Sequence, residues 1–132
     1  KIMHKYIDSG FHPYTSIKLK NGETRYLKDI KHGDILDNSS SVSAIVKIDA
    51  SDIDIYKHDI DGNSIFGTAN LTYFDNNKIK TTYYNEAKRE LYNLNEDKSK
   101  IKYLYHILTN TTSFTINNIE FTSYNKNLEI FL

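Results

Sequence analysis

Five histidines and no cysteine set the limits on the chemistry open to this chain. A thiolate nucleophile, a thiolate metal site and a disulfide are all ruled out. His4, His12, His32, His58 and His106 form no His-x-His, His-x-x-x-His or His-Glu-x-x-His pair, and nothing in their spacing supports a metal centre or another cofactor. No glycine-rich phosphate loop and no Gly-x-Ser-x-Gly elbow is present, so no small-molecule ligand is predicted. Asp59-Ile60-Asp61-Gly62 is acidic but lacks the ligand series of a calcium loop, and a hairpin tip accounts for it. His106 lies within the apolar run Ile101 to Leu108 and reads as a hydrogen-bonded core histidine.

These residues need a scaffold, and composition bounds it. Hydrophobic residues make up 39% of the 132 and charged residues 26%, which suits one globular domain over 1–132. Eleven Tyr and six Phe can fill much of its core. Lys plus Arg and Asp plus Glu each number 17, so net charge gives no argument for nucleic acid or a membrane surface as partner. Lys98, Lys100 and Lys102 sit beside Glu96 and Asp97 and read as a solvated mixed face. No apolar run of about 18 residues predicts a membrane span, and Lys1-Ile2-Met3-His4 does not open a signal peptide. Met at position 3 behind a lysine suggests a piece of a longer chain. The Asn, Ile, Lys and Tyr bias suggests an AT-rich genome, that of a virus, a protist or a low-GC bacterium. Sequons at Asn38, Asn70 and Asn110 are what chance supplies in a chain so rich in Asn, Ser and Thr.

Hydrophobic alternation predicts strands at about ten-residue spacing. Ile17 and Leu19 alternate with Ser16, Lys18 and Lys20, Asn21-Gly22 turns the chain, and Thr24 to Leu27 returns. Leu27 to Ile30 makes about one helical turn, which Gly33-Asp34 stops. In Val42 to Asp49 the residues Val42, Ala44, Val46 and Ile48 fall on one face. Ile53 to Ile60 reads as a strand with a bulge, Asp61-Gly62 as a turn, Ser64 to Phe74 as the return strand and Lys78 to Tyr84 as another strand. Only Asn85 to Asp97 favours helix, as a short helix or a structured loop. Ile101 to Leu108 reads as a strand buried on both faces for much of its length. Phe114 to Tyr124 folds as a hairpin about Asn117-Asn118, and Leu128, Ile130 and Phe131 pack the end of the chain. The fold class is therefore all-β with little helix.

The stretch Gly10 to Leu36 carries a further signal in Thr15, Ile17, Leu19, Asn21, Gly22, Leu27, Asp29, Ile30, Gly33, Asp34 and Leu36. In order and spacing these residues resemble the opening block of Hint domains, the autoprocessing modules of Hedgehog proteins, inteins and intein-like proteins of bacteria and viruses. Ile65 to Leu71 looks like the family's second block. Leu104 to Thr111 is similar to its Leu-Tyr-His-Leu-x-Thr-Asp-Thr strand, and Thr115 to Asn125 looks like its closing block. The resemblance runs from about Ser9 to Leu132 and implies a horseshoe of β-hairpins.

It also implies a reaction. In the family a nucleophile attacks the carbonyl that precedes it, a His of a Thr-x-x-His motif protonates the scissile nitrogen, and a closing His-Asn or His-Asp pair completes the site. The nucleophile's position falls on Gly10, the second-block His on Ala69, and the closing pair on Thr122 and Ser123; Asn110 stands where the family has Asp. All four catalytic positions are replaced, which implies a domain that kept the fold and lost the activity. Thr68, His12, His106 and Asn110 are candidates for a residual site. The expected role is a structural or interaction module whose partners are proteins or flanking domains of its own chain, with a virus particle or the host cytoplasm as a natural setting. Two alternatives stand beside it. One is an active self-cleaving domain that uses Ser9 in an N-to-O acyl shift, and the other is an unrelated β-sandwich binding module.

Overall fold

Short apolar-alternating runs separated by Asn, Asp and Gly pairs fold into four antiparallel hairpins. The computed structural model describes residues 8–84, 88–92 and 101–131. Strands β1 (Ser16–Lys18) and β2 (Thr24–Tyr26) pair about Asn21-Gly22, where Gly22 takes φ +93°. A 3-10 turn, Leu27–Asp29, follows as predicted and buries Leu27. Strand β3 (Val42–Asp49) pairs with a strand far along the chain, β9 (Tyr103–Thr109). The hairpin of β4 (Tyr56–Ile60) and β5 (Asn63–Gly67) turns on Asp61 and Gly62, and that of β6 (Thr72–Asp75) and β7 (Lys78–Thr81) turns on Asn76 and Asn77. The last hairpin joins β10 (Ser113–Ile116) to β11 (Ile119–Thr122) through Asn117 and Asn118. Both residues at each of these three tips have positive φ, the geometry that matches the right-handed twist of the paired strands.

Several features depart from the sequence expectations: β4 begins only at Tyr56, and β7 gives way to a 3-10 turn, Thr82–Tyr84, where strand was predicted. The return strand predicted over Ser64 to Phe74 is two strands in different sheets, β5 and β6, broken at 68–71. Gly67 marks the break: a Cβ there would stand 2.5 Å from the carbonyl oxygen of Gly10. A bulge between Val42 and Ala44 shifts the face of β3, so that Ile45, and not Ala44, packs with Val42 on the main core. Within the predicted helix or loop 85–97, residues Arg89–Leu91 form strand β8 against β4; positions 85–87 and 93–97 lie outside the described residues. Beyond β11 the chain forms helix α1 (Tyr124–Phe131), where only apolar packing was predicted.

The N-terminal segment ties these pieces together. Phe11 bridges Gly67 of β5 on one side and Tyr105 of β9 on the other, with Phe11 N donating to Tyr105 O at 2.7 Å. Its ring is fully buried, 4.9 Å from Phe121 and 6.0 Å from Phe114 in edge-to-face contacts. One strand-like segment thus joins β3–β9 to β5–β4–β8 and anchors the main core.

Candidate functional site

Ser9 and Gly10 are both buried, just upstream of Phe11. Gly10 is pinned to the turn after β5 by two reciprocal bonds: its N–H donates to Thr68 Oγ1 (3.2 Å), and its carbonyl accepts from Thr68 N (3.0 Å). The Gly10 peptide is thereby held against Thr68. A third residue supports the pair. His58 Nε2 lies 2.7 Å from Thr68 O, and since a carbonyl only accepts, the nitrogen carries the proton. Burial holds His58 below its ordinary pKa; the bond to Thr68 opposes that shift and the charge of Arg89 adds to it. His58 is a neutral prop for Thr68, and its alternating strand offered no sequence sign of that role.

The rest of the turn is also tied through its backbone. Ala69 O accepts from Thr82 Oγ1 (2.8 Å) and from Arg89 Nη1 (3.4 Å), and Leu71 N donates to Thr82 Oγ1 (2.8 Å). Counted from Thr68, the Thr-x-x-His spacing ends on Leu71, two residues after Ala69. Neither side chain has a proton to give.

Thr122 and Ser123 lie at the end of β11 and are fully buried. Thr122 Oγ1 bonds Thr72 O (3.0 Å) and touches the carboxamide of Asn127. One hydroxyl proton cannot serve two acceptors. With the carboxamide turned so that its nitrogen faces Thr122, the amide donates to Oγ1, the hydroxyl donates to the carbonyl, and the otherwise unpartnered Asn127 Nδ2 gains an acceptor. Ser123 Oγ donates to Thr111 O (3.2 Å). Both hydroxyls are engaged with backbone carbonyls.

The other candidates separate. His106 is buried against Phe11, Phe114 and Tyr124; its Nδ1 accepts the N–H of Ile107 (2.9 Å), and burial holds its pKa down at about 4. The Tyr124 pKa is raised by its own burial and by the charge of Asp8. Asn110 is exposed and exchanges bonds with Ser41, Asn110 N to Ser41 O (3.1 Å) and Ser41 N to Asn110 Oδ1 (2.9 Å). His12 sits on the far side of the Phe11 segment, where its N–H donates to Phe66 O (3.0 Å) and its Nδ1 accepts from Tyr14 N (3.1 Å). Ser9 Oγ is fully buried with no hydrogen-bond partner among the described residues. Among the described residues no three His, Asp or Glu side chains converge as a metal site would need.

No family model matches the chain, and no curated protein does. Solved structures do. The gp41-1 intein superposes with a TM-score of 0.64 at 14% identity over 87% of this chain and 98% of that one. The DnaB intein from Synechocystis sp. PCC 6803 gives 0.61 at 14% identity, over 87% and 98%. The MchDnaB-1 intein gives 0.60 at 12%, over 86% and 99%. The chain has the Hint fold. At this identity the likeness covers architecture alone.

Proposed function

We propose that this Hint domain no longer processes itself and serves as a structural or interaction module within its protein. The observation that carries the reading is at Gly10. The position has no nucleophile, and it has little room for one: a Cβ would meet Leu104 Cβ at 3.0 Å, Ile48 Cδ1 at 3.2 Å and Tyr105 N at 3.3 Å. The hydroxyls at Thr122 and Ser123 support it, since both serve as structural bonds to carbonyls. Ser9 does not replace the missing group, because an acyl shift needs a base within hydrogen-bond reach of the hydroxyl and Ser9 Oγ has no partner among the described residues.

Intact mass spectrometry on the chain flanked by a folded protein at each end, followed for days with and without hydroxylamine, tests this. The expected result is one uncut mass throughout. A cut between Asp8 and Ser9, or release of the domain with its flanks joined, overturns it.

A further inference from the structure

Asn21 is the one asparagine of the chain that precedes a glycine. It stands at the tip between β1 and β2, where Asn21, Gly22 and Glu23 are all exposed. Asn21 Oδ1 accepts the N–H of Glu23 (2.9 Å). That bond folds the carboxamide forward along the chain and brings its carbon toward the intervening Gly22 amide. It also polarises the C=O and keeps a donor in place for the oxygen when negative charge develops there. The Gly22 nitrogen is open to water: nothing lies within 4 Å of the place a Gly22 Cβ would take.

A nucleophile, an electrophile and an oxyanion donor thus lie within three consecutive residues. Two features decide whether they react. Gly22 N–H donates to Leu19 O (3.0 Å), and this bond must open before the nitrogen attacks. It closes an exposed turn, and one such bond slows the attack by about fivefold rather than stopping it. The second feature is the freedom of the attacking residue, which is greatest for glycine. Asn38 supplies the contrast. Its Oδ1 accepts the N–H of Ser40 (3.0 Å) in the same local turn, but the attacking residue there is Ser39, which carries a side chain, and Asn38 Nδ2 is held by Ser113 O (3.0 Å).

We infer that Asn21 is a site of spontaneous modification in the folded chain, with water as the only co-reactant. The Gly22 nitrogen forms a bond to Asn21 Cγ, and its proton passes through water to Nδ2. The Cγ–Nδ2 bond breaks and ammonia leaves, which closes a five-membered succinimide. Water then adds to either ring carbonyl and breaks that carbon's bond to the Gly22 nitrogen, giving isoaspartate or aspartate. Either product sets a new carboxylate near that of Glu23. The isoaspartyl product also adds one carbon to the backbone of the loop that sets the pairing of Lys18 with Thr24. The inference is independent of the module reading above.

The whole chain, kept for weeks near pH 6.5 and near pH 8.5, cut briefly with pepsin and weighed peptide by peptide, tests it. The peptide that holds Asn21 is expected to gain the mass difference between an amide and an acid, and to become a substrate for isoaspartyl methyltransferase. The gain should be faster at the higher pH, because the attacking nitrogen must lose its proton, and at least about tenfold faster than at Asn38. Asn21→Gln, whose longer side chain must close a larger ring, should keep its mass, and an unchanged circular dichroism spectrum shows that the fold survives the change. An Asn21 peptide that stays unmodified, a rate no higher than that at Asn38, or a rate that does not rise with pH overturns the inference. So does a gain of mass without isoaspartate, which would mean direct hydrolysis of the side chain and no attack by Gly22.

Discussion

Gly67 shows at the scale of one residue how the Gly10–Thr68 pair is built. Its missing side chain lets the carbonyl of Gly10 approach to where a Cβ would lie at 2.5 Å, and that carbonyl is backbone, held by Thr68 N. Gly67→Ala should therefore move the whole Gly10–Thr68 pair and destabilise the domain by about 2 kcal/mol, the usual scale for overpacking a filled site. Gly62→Ala is the control. Nothing lies within 4 Å of its Cβ, but φ is +83°, so only the backbone strain remains, about 1 kcal/mol. Urea midpoints of the two variants check the difference, and a Gly67→Ala variant no weaker than Gly62→Ala would disprove the close approach. Residue types told part of this story in advance. The absence of cysteine and the glycine at position 10 are visible in the chain itself. The supports are not: His58 and Thr82 act through bonds to carbonyls of residues ten and thirteen positions away, and nothing in their local pattern marks them.

Elements were legible where turn chemistry and strand period agree. The pairs Asn21-Gly22, Asp61-Gly62 and Asn117-Asn118 all lie at hairpin tips. The stretch 64–74 misled because β-formers stand on both sides of the break, although Gly67, Ala69 and Asn70 within it are poor strand residues. Helix α1 was illegible for a different reason. Tyr-Asn-Lys-Asn-Leu-Glu-Ile-Phe has little helix propensity, and Ser123, just ahead of it, gives its hydroxyl to Thr111 O instead of to the helix's N–H groups. Tertiary bonds hold it. Asn125 Oδ1 accepts the N–H of Thr109 (3.1 Å), and Asn125 Nδ2 donates to Thr111 O (2.9 Å), clamping α1 to the end of β9. Asn125→Ala leaves the amide of Thr109, a residue 5% exposed, without a partner. A loss of about 2 kcal/mol follows, and amide exchange at Thr109 should accelerate while exchange within β10–β11 keeps its relative protection. Unchanged exchange at Thr109 would mean that the clamp carries no energy.

Across the whole molecule the two buried histidines make stability depend on acid. His106 and His58 sit on opposite sides of the Phe11 segment, one among aromatic rings and one beneath Thr68, and both are held neutral by burial. Their folded pKa values lie below the unfolded one, near 6.5, so above that pH both states are neutral and the fold keeps its full stability. As pH falls through 6.5 the unfolded chain takes up protons that the folded chain refuses, and stability is lost until the folded pKa is reached, about 4 for His106. By pH 5 His106 alone accounts for a loss of about 2 kcal/mol, and His58 adds to it in the same direction. Between pH 6.5 and 5 ordinary carboxylates stay mostly ionised, so the histidines dominate that span. Urea unfolding at pH 7.5 and pH 5 should show the loss in the native chain. In His106→Phe, which keeps a ring among Phe11, Phe114 and Tyr124, the difference between the two pH values should shrink by about the same 2 kcal/mol whatever the variant's absolute stability. A pH difference that stays the same in His106→Phe would place the acid sensitivity elsewhere, and His58→Gln, which removes the charge but leaves a donor for Thr68 O, then measures the share that belongs to the prop beneath Thr68.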